Sequence, residues 1–188
     1  GELDEQQAAG KWVKKDLAED ALAWARERAA SMRLEDLAPR IGGRLEGEGN
    51  DRRMVLAYFN DTIRIGPHGI LHSGGSVLNR WEQVFMYNHM AQGGSRDPVG
   101  NWKSFKEFPN TVSKMKSMRS GVEEPLIRRF AGRTGELRAA AKAIGGVDLS
   151  DTDRSAELAF QFQPLPKVPV QVLFWDSDPD DSFEAEAH

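Results

Sequence analysis

The sequence contains no cysteine. That absence excludes disulfide frameworks, thiolate nucleophiles, Cys-based zinc sites and any iron–sulfur cluster carried on this chain. Tyrosine is scarce, with two residues, and histidine is limited to four. No apolar run approaches the ~18 residues of a membrane-spanning helix, so no membrane partner is expected. The opening Gly1-Glu2-Leu3-Asp4-Glu5 has neither the basic region nor the apolar core of a secretory signal, and the expected location is cytoplasmic. Phosphate-binding fingerprints are missing too. The glycine pairs at Gly42-Gly43, Gly74-Gly75, Gly93-Gly94 and Gly145-Gly146 lack the spacing of a Walker loop or a dinucleotide-binding turn and read as helix stops and turns.

What is present is an ordinary composition in an uneven arrangement. The 188 residues are 39% hydrophobic, and the net charge is −4. A chain of this size buries roughly 70% of its unfolded surface without a metal or disulfide staple. The expectation is one α+β domain over residues 1–188, with an N-terminal helical segment at 1–34 and an acidic C-terminal segment at 176–188. The last thirteen residues hold six carboxylates and no Lys or Arg, a local charge of −6. Between Arg96 and Lys142 eleven basic residues face five acidic ones, a local charge of +6. Solvated helix faces and a solubilising end account for such runs, and their asymmetry also bears on partners.

Hydrophobic periodicity outlines the elements. Residues 11–33 read as an amphipathic helix through Val13, Leu17, Ala21, Trp24, Ala25 and Met32, followed by a short helix at 34–39. Arg53 to Phe59 and Thr62 to Ile65 read as a hairpin turning at Asn60-Asp61, with a third strand at Gly69 to His72. Ser76 to Ala91 is expected as the core helix, capped by Ser76, its apolar stripe being Val77, Leu78, Trp81, Val84, Phe85 and Met90. Trp102 to Phe108 reads as a short edge strand or extended segment. Helices follow at 111–118, capped by Asn110, then at 123–131 and 135–144. Ala156 to Phe162 alternates as a half-buried strand, Pro164, Pro166 and Pro169 form an extended connector, and Val170 to Trp175 reads as a strand buried on both faces. The order gives a small, largely antiparallel sheet packed against several helices.

Chemistry-bearing motifs are few. His68 and His72 are four apart, but they flank Gly69 in a strand region, so they are weak metal candidates. Asp176 to Asp181 resembles the start of a calcium loop, yet Asp181 stands where glycine is needed and Ala187 where glutamate is needed. Ser73 and Ser76 lie near His72 without the glycine pattern of a nucleophile elbow. In the basic stretch Trp102 to Arg133, Trp102, Phe105 and Phe108 alternate with Lys103 and Lys106, a pattern suited to polyanions. The isoelectric point near 5.6 argues against nucleic acid as the partner.

Four segments together resemble the bacterial and archaeal domain-of-unknown-function family 3786. They are Phe85-Met86-Tyr87-Asn88-His89-Met90, Gly100-Asn101-Trp102-Lys103-Ser104-Phe105-Lys106-Glu107-Phe108-Pro109, Pro125-Leu126-Ile127-Arg128-Arg129-Phe130, and Pro164 through Val170 to Trp175-Asp176. The likeness spans residues 35 to 188. It implies an anaerobic source and the company of corrinoid and one-carbon metabolism. Some relatives carry an added iron–sulfur segment, which this cysteine-free chain lacks. Relatives also continue past a segment like Asp181 to His188 into a further apolar strand, so the chain reads as trimmed or as lacking that strand.

The sequence leaves the ligand, and whether the protein is an enzyme, open. The leading expectation is a non-enzymatic binding or accessory module with a protein partner, supported by the charge asymmetry and the lack of a catalytic constellation. One alternative is a small-molecule or cofactor-binding enzyme with a pocket where the Trp102 region meets Trp175 and Asp176. The other is a polyanion-binding domain. Candidate contacts are Trp102, Lys103, Lys106, Arg128, Arg129, Trp175, Asp176 and Asp178.

Overall fold

The computed structural model describes residues 17–67, 69–153, 155–178, 180 and 184–188. The α+β class is as expected, but the strands form two four-stranded antiparallel sheets rather than one small sheet. The described chain divides into two compact units, one from residues up to 55 with 64–95, the other from 56–63 with 96–188.

The first unit contains α1 (Leu17–Ala30), α2 (Leu34–Ile41), β1 (Arg44–Glu46) and α3 (Arg80–Gln92). Strands β2 (Arg53–Tyr58), β3 (Asp61–Gly66) and β4 (Gly69–His72) complete its sheet in the order β1-β2-β3-β4, with β2 and β3 passing into the second unit at their hairpin end. Residues 11–16 of the expected first helix lie outside the described residues. Helix α1 buries Leu22, Ala25 and Ala29, which recur at helical spacing. Helix α2 runs past Pro39 to bury Leu37, Ala38 and Ile41, then ends on Gly42 at φ 82°, a left-handed conformation that glycine adopts without steric cost. Strand β1, unforeseen in the sequence, pairs Leu45 with Met54.

The hairpin turns at Phe59-Asn60, one residue earlier than expected. Phe59 adopts φ 51°, unfavourable for a residue with a Cβ. Two bonds within the second unit hold the turn: the Phe59 amide donates to the Pro164 carbonyl at 3.0 Å, and Asn60 Nδ2 to the Ala143 carbonyl at 2.9 Å.

Helix α3 begins later than expected. Asn79, not Ser76, is its cap: the Glu82 amide donates to Asn79 Oδ1 at 3.0 Å, and the Asn79 amide donates to Glu82 Oε2 at 3.0 Å. Its buried residues are Gln83, Met86 and Met90, whereas Trp81 and Phe85, expected in the core stripe, are exposed. Gln83 tolerates burial because both ends of its amide are used, Nε2 donating to the Leu78 carbonyl at 2.7 Å and Oε1 accepting from Arg26 at 3.1 Å.

In the second unit, Trp102 to Phe108 forms no edge strand. It is irregular up to Ser104 and then makes one 3₁₀ turn, Phe105–Glu107. The two helices expected at 111–118 and 123–131 are one continuous helical run. A 3₁₀ turn (Val112–Lys114) leads into α4 (Met115–Met118), a π-helical turn (Arg119–Glu123) and α5 (Glu124–Phe130). Asn110 at φ 63° precedes this run rather than capping it. The π turn falls just before Pro125, which has no amide to donate and whose ring would clash with the preceding α-helical turn. The Glu124 amide reaches back five residues to the Arg119 carbonyl instead.

Helix α6 (Thr134–Ala143) leads to β5 (Val147–Asp148), β6 (Leu158–Leu165), β7 (Val168–Trp175) and β8 (Glu186–Ala187), ordered β5-β6-β7-β8. The proline segment is a tight hairpin and not an extended connector. Leu165 pairs with Val168 across Pro166-Lys167, and the register shifts between Phe162 and Leu165. Strand β7 is not buried on both faces. Phe174 is its one buried residue, because only one side meets the core of Leu137, Ala141, Leu158, Phe160 and Ala187. The acidic C-terminal segment is likewise more than a solvated tail. Strand β8 pairs Ala187 with Phe174 and places Ala187 in that core.

Candidate functional site

Two places in the second unit hold the residues singled out in the sequence. The first is the end of β7. There Asp176 Oδ1 accepts the Gly132 amide at 2.7 Å and the Ser177 amide at 2.8 Å, and the Asp176 amide donates to Glu157 Oε2 at 2.9 Å. Its carboxylate thus binds one backbone donor of the loop after α5 and one just past β7, the kind of charge-assisted bond that fixes loops. Asp178 Oδ1 similarly accepts the Asp180 amide at 2.9 Å. Trp175 is half-buried with the His188 ring against it edge-on, centroids 5.4 Å apart. His188 lies 3.8 Å from Glu123 and 3.7 Å from Glu186. Glu123, Glu157 and His188 went unnoticed in the sequence, because separations of tens of residues leave no local spacing to read.

The second place is the stretch from Val99 to Arg119. Val99, Trp102, Phe108 and Val112 are exposed to 86, 49, 51 and 86%. Lys103, Lys106, Lys114 and Lys116, all exposed, stand between and beside them without an ion pair among the described residues. Local bonds give this stretch a defined shape. The Ser104 amide donates to Glu107 Oε2 at 2.6 Å and Thr111 Oγ1 to the Phe108 carbonyl at 2.7 Å. The bonds from the Ser104 amide and hydroxyl hold the Glu107 carboxyl below its ordinary pKa, with the nearby lysines adding to the effect. Lys167 pairs with Asp97 at 3.5 Å, two residues before the stretch.

The structure does not bring all the candidates together. No ring contact among the described residues joins Trp102 to Trp175. Arg129 is engaged by Glu136 at 2.7 Å and lies over the Phe130 ring, while its neighbour Arg128 is exposed. His68 lies outside the described residues. His72 ends β4 in a tight turn, its amide donating to the Ser76 carbonyl at 2.8 Å. No group of three His, Asp or Glu among the described residues is arranged to hold a metal ion. No helix among them is long and apolar enough to cross a membrane.

In the first unit, the half-buried His89 leaves Nε2 without a hydrogen-bond partner among the described residues. Burial, joined by the Arg40 guanidinium, lowers its pKa. Arg40 itself donates to the Gly93 carbonyl at 3.0 Å and to the Met90 carbonyl at the end of α3.

These features define an α+β protein whose most prominent chemistry is a cationic, apolar surface. The profile of the family described as domain of unknown function (DUF3786) matches residues 33–188, and the chain belongs to that family. Comparison with curated proteins and with solved structures finds no match.

Proposed function

We propose that the protein is a non-enzymatic binding module that docks an acidic protein segment on the surface from Val99 to Arg119. The observation that carries this reading is the coexistence there of exposed apolar side chains and lysines that have no ion pair among the described residues. Exposed aromatic and aliphatic groups in one stretch cost solubility, and a partner that covers them recovers the hydrophobic free energy. Lysines supply long-range attraction and specificity for carboxylates. Two exposed valines favour a protein over a nucleic acid, since bases stack on rings and gain little from aliphatic tips. At the end of β7, the carboxylate of Asp176 is occupied by backbone amides, which supports a structural role there over a catalytic one.

On this reading the protein acts in the cytoplasm as an accessory to a larger assembly. The link to anaerobic corrinoid or one-carbon metabolism rests on the family resemblance alone. The test is affinity capture from an extract of the source organism, run in parallel with Lys103→Glu/Lys106→Glu bait. A protein retained by the natural chain and lost with the charge-reversed bait supports the proposal. Equal recovery with both baits, or nothing above background, counts against it.

A further inference from the structure

Strands β1 to β3 turn one face to the core and the other to solvent. Leu45 pairs with Met54, and Met54, Ile63 and Ile65 are buried. Side chains alternate along a strand, so Arg44 and Glu46 on β1, Arg53 on β2 and Arg64 on β3 stand on the opposite, outer face. Glu46 is the direct cross-strand partner of Arg53. Three arginines thus gather about one carboxylate. Arg44 donates to Glu46 Oε1 from Nη2 at 2.8 Å and from Nε at 3.2 Å, and Arg53 Nε lies 3.7 Å from Glu46 Oε2. The Arg44 bond, joined by the charges of Arg44, Arg53 and Arg64, holds the Glu46 carboxyl below its ordinary pKa, so the third guanidinium is within electrostatic reach of it. Most donors of this cluster are unspent. Arg64 gives Nη1 to the Ser73 carbonyl at 3.2 Å, which steadies its guanidinium, and the Arg53 side chain makes no hydrogen bond among the described residues.

We propose that this outer face is an anion site for the phosphoryl groups of a small soluble polyphosphate, which displaces Glu46 from the arginines. Glu46 already demonstrates that the face holds an oxyanion. Because that carboxylate is tethered beside its partners, a free carboxylate gains nothing by replacing it. A ligand that does replace it must bring more charge and more acceptor oxygens, and a phosphoryl group brings about −2 and a tetrahedral set of strong acceptors. Arginine is the cation suited to such a group. Its planar fork meets phosphate oxygens two bonds at a time, whereas lysine acts as a point charge. All three cations around Glu46 are arginine, while the surface from Val99 to Arg119 in the other unit relies mainly on lysine. Strand backbones fix the spacing of the three stems, so the guanidinium groups are held together before a ligand arrives, which lowers the ordering cost of binding.

Isothermal titration of the full chain with tripolyphosphate, in phosphate-free buffer of low ionic strength, provides the test. The proposal predicts saturable binding at one site. Arg53→Gln and Arg64→Gln should each weaken it about tenfold, the order expected when a charged hydrogen bond is lost. Glu46→Gln removes the competing carboxylate and should tighten binding about threefold, the worth of a surface ion pair. That gain cannot come from misfolding, so the prediction stands even if Arg64→Gln fails to fold. Lys142→Gln, in the other unit, should leave the affinity unchanged. Absence of saturable binding overturns the proposal, and so does binding that persists undiminished in Arg53→Gln and is not tightened by Glu46→Gln. Parallel titrations with a single-stranded oligonucleotide and with vesicles containing phosphatidic acid separate the other sources of phosphate. Binding to either of these without binding to tripolyphosphate also overturns it.

Discussion

The Gly132 amide donates to the Asp176 carboxylate at 2.7 Å, tying the loop after α5 to the end of β7 across 44 residues of chain. Asp176→Ala removes that acceptor and the one for Ser177, and should cost about 1–2 kcal/mol of stability, in line with charged hydrogen bonds. Asp176→Asn keeps an acceptor oxygen and should cost less. Urea unfolding of both variants checks the order.

Asn79 and Glu82 make reciprocal bonds that close the N-terminus of α3. Asn79→Ala should lower stability by about 1 kcal/mol, and Asn79→Ser, which retains a capping oxygen, should lose far less. Thermal denaturation of the two variants separates the outcomes.

A Cβ at Gly146 would lie 2.5 Å from the Phe162 ring and 2.8 Å from the Ala141 carbonyl. Phe162 packs against the core of the second unit and the carbonyl belongs to α6, so neither can yield cheaply. Gly146→Ala should destabilise by about 1–3 kcal/mol, the usual range for overpacking. Gly74→Ala, where a Cβ meets open space and no positive φ is required, should be close to neutral.

His89 titrates below its ordinary value near 6.5, chiefly because of burial, with Arg40 adding repulsion. The unfolded chain therefore binds this proton more readily than the folded one. The contribution of neutral His89 to stability is complete above 6.5 and is progressively lost as pH falls from there toward the folded value. His89→Gln should flatten the decline in melting temperature between about pH 8 and about pH 5, the range over which an imidazole changes charge. An unchanged slope in that variant would place the titration elsewhere.

Much of the fold could be read directly from local pattern. Strand β3 follows the alternation of Ile63 and Ile65, β2 the apolar run from Met54 to Leu56, and Gly42 marks the end of α2. The failures have physical causes. Periodicity identifies α3 but does not say which of its apolar residues turn inward, so Trp81 and Phe85 read as core although the structure exposes them. The alternation of Trp102, Phe105 and Phe108 imitates a strand, yet Ser104 and Glu107 close a turn there. Strands of two residues, such as β5 and β8, are too short to show any period. They form because β6 and β7 offer edges to pair with. The basic stretch was visible as charge, but that its rings and valines lie exposed depends on tertiary packing.

The binding surface is tested most directly by selecting displayed random peptides on the natural chain, with counter-selection on Trp102→Ala/Lys103→Glu/Lys106→Glu. These positions are exposed, and such surface substitutions usually move stability by no more than about 0.5 kcal/mol, so the variant should melt like the parent. The proposed role predicts enrichment of peptides rich in Asp and Glu with interspersed Leu or Phe, which bind the natural chain and not the variant. Enrichment of sequences that bind both equally, or of none, would contradict it.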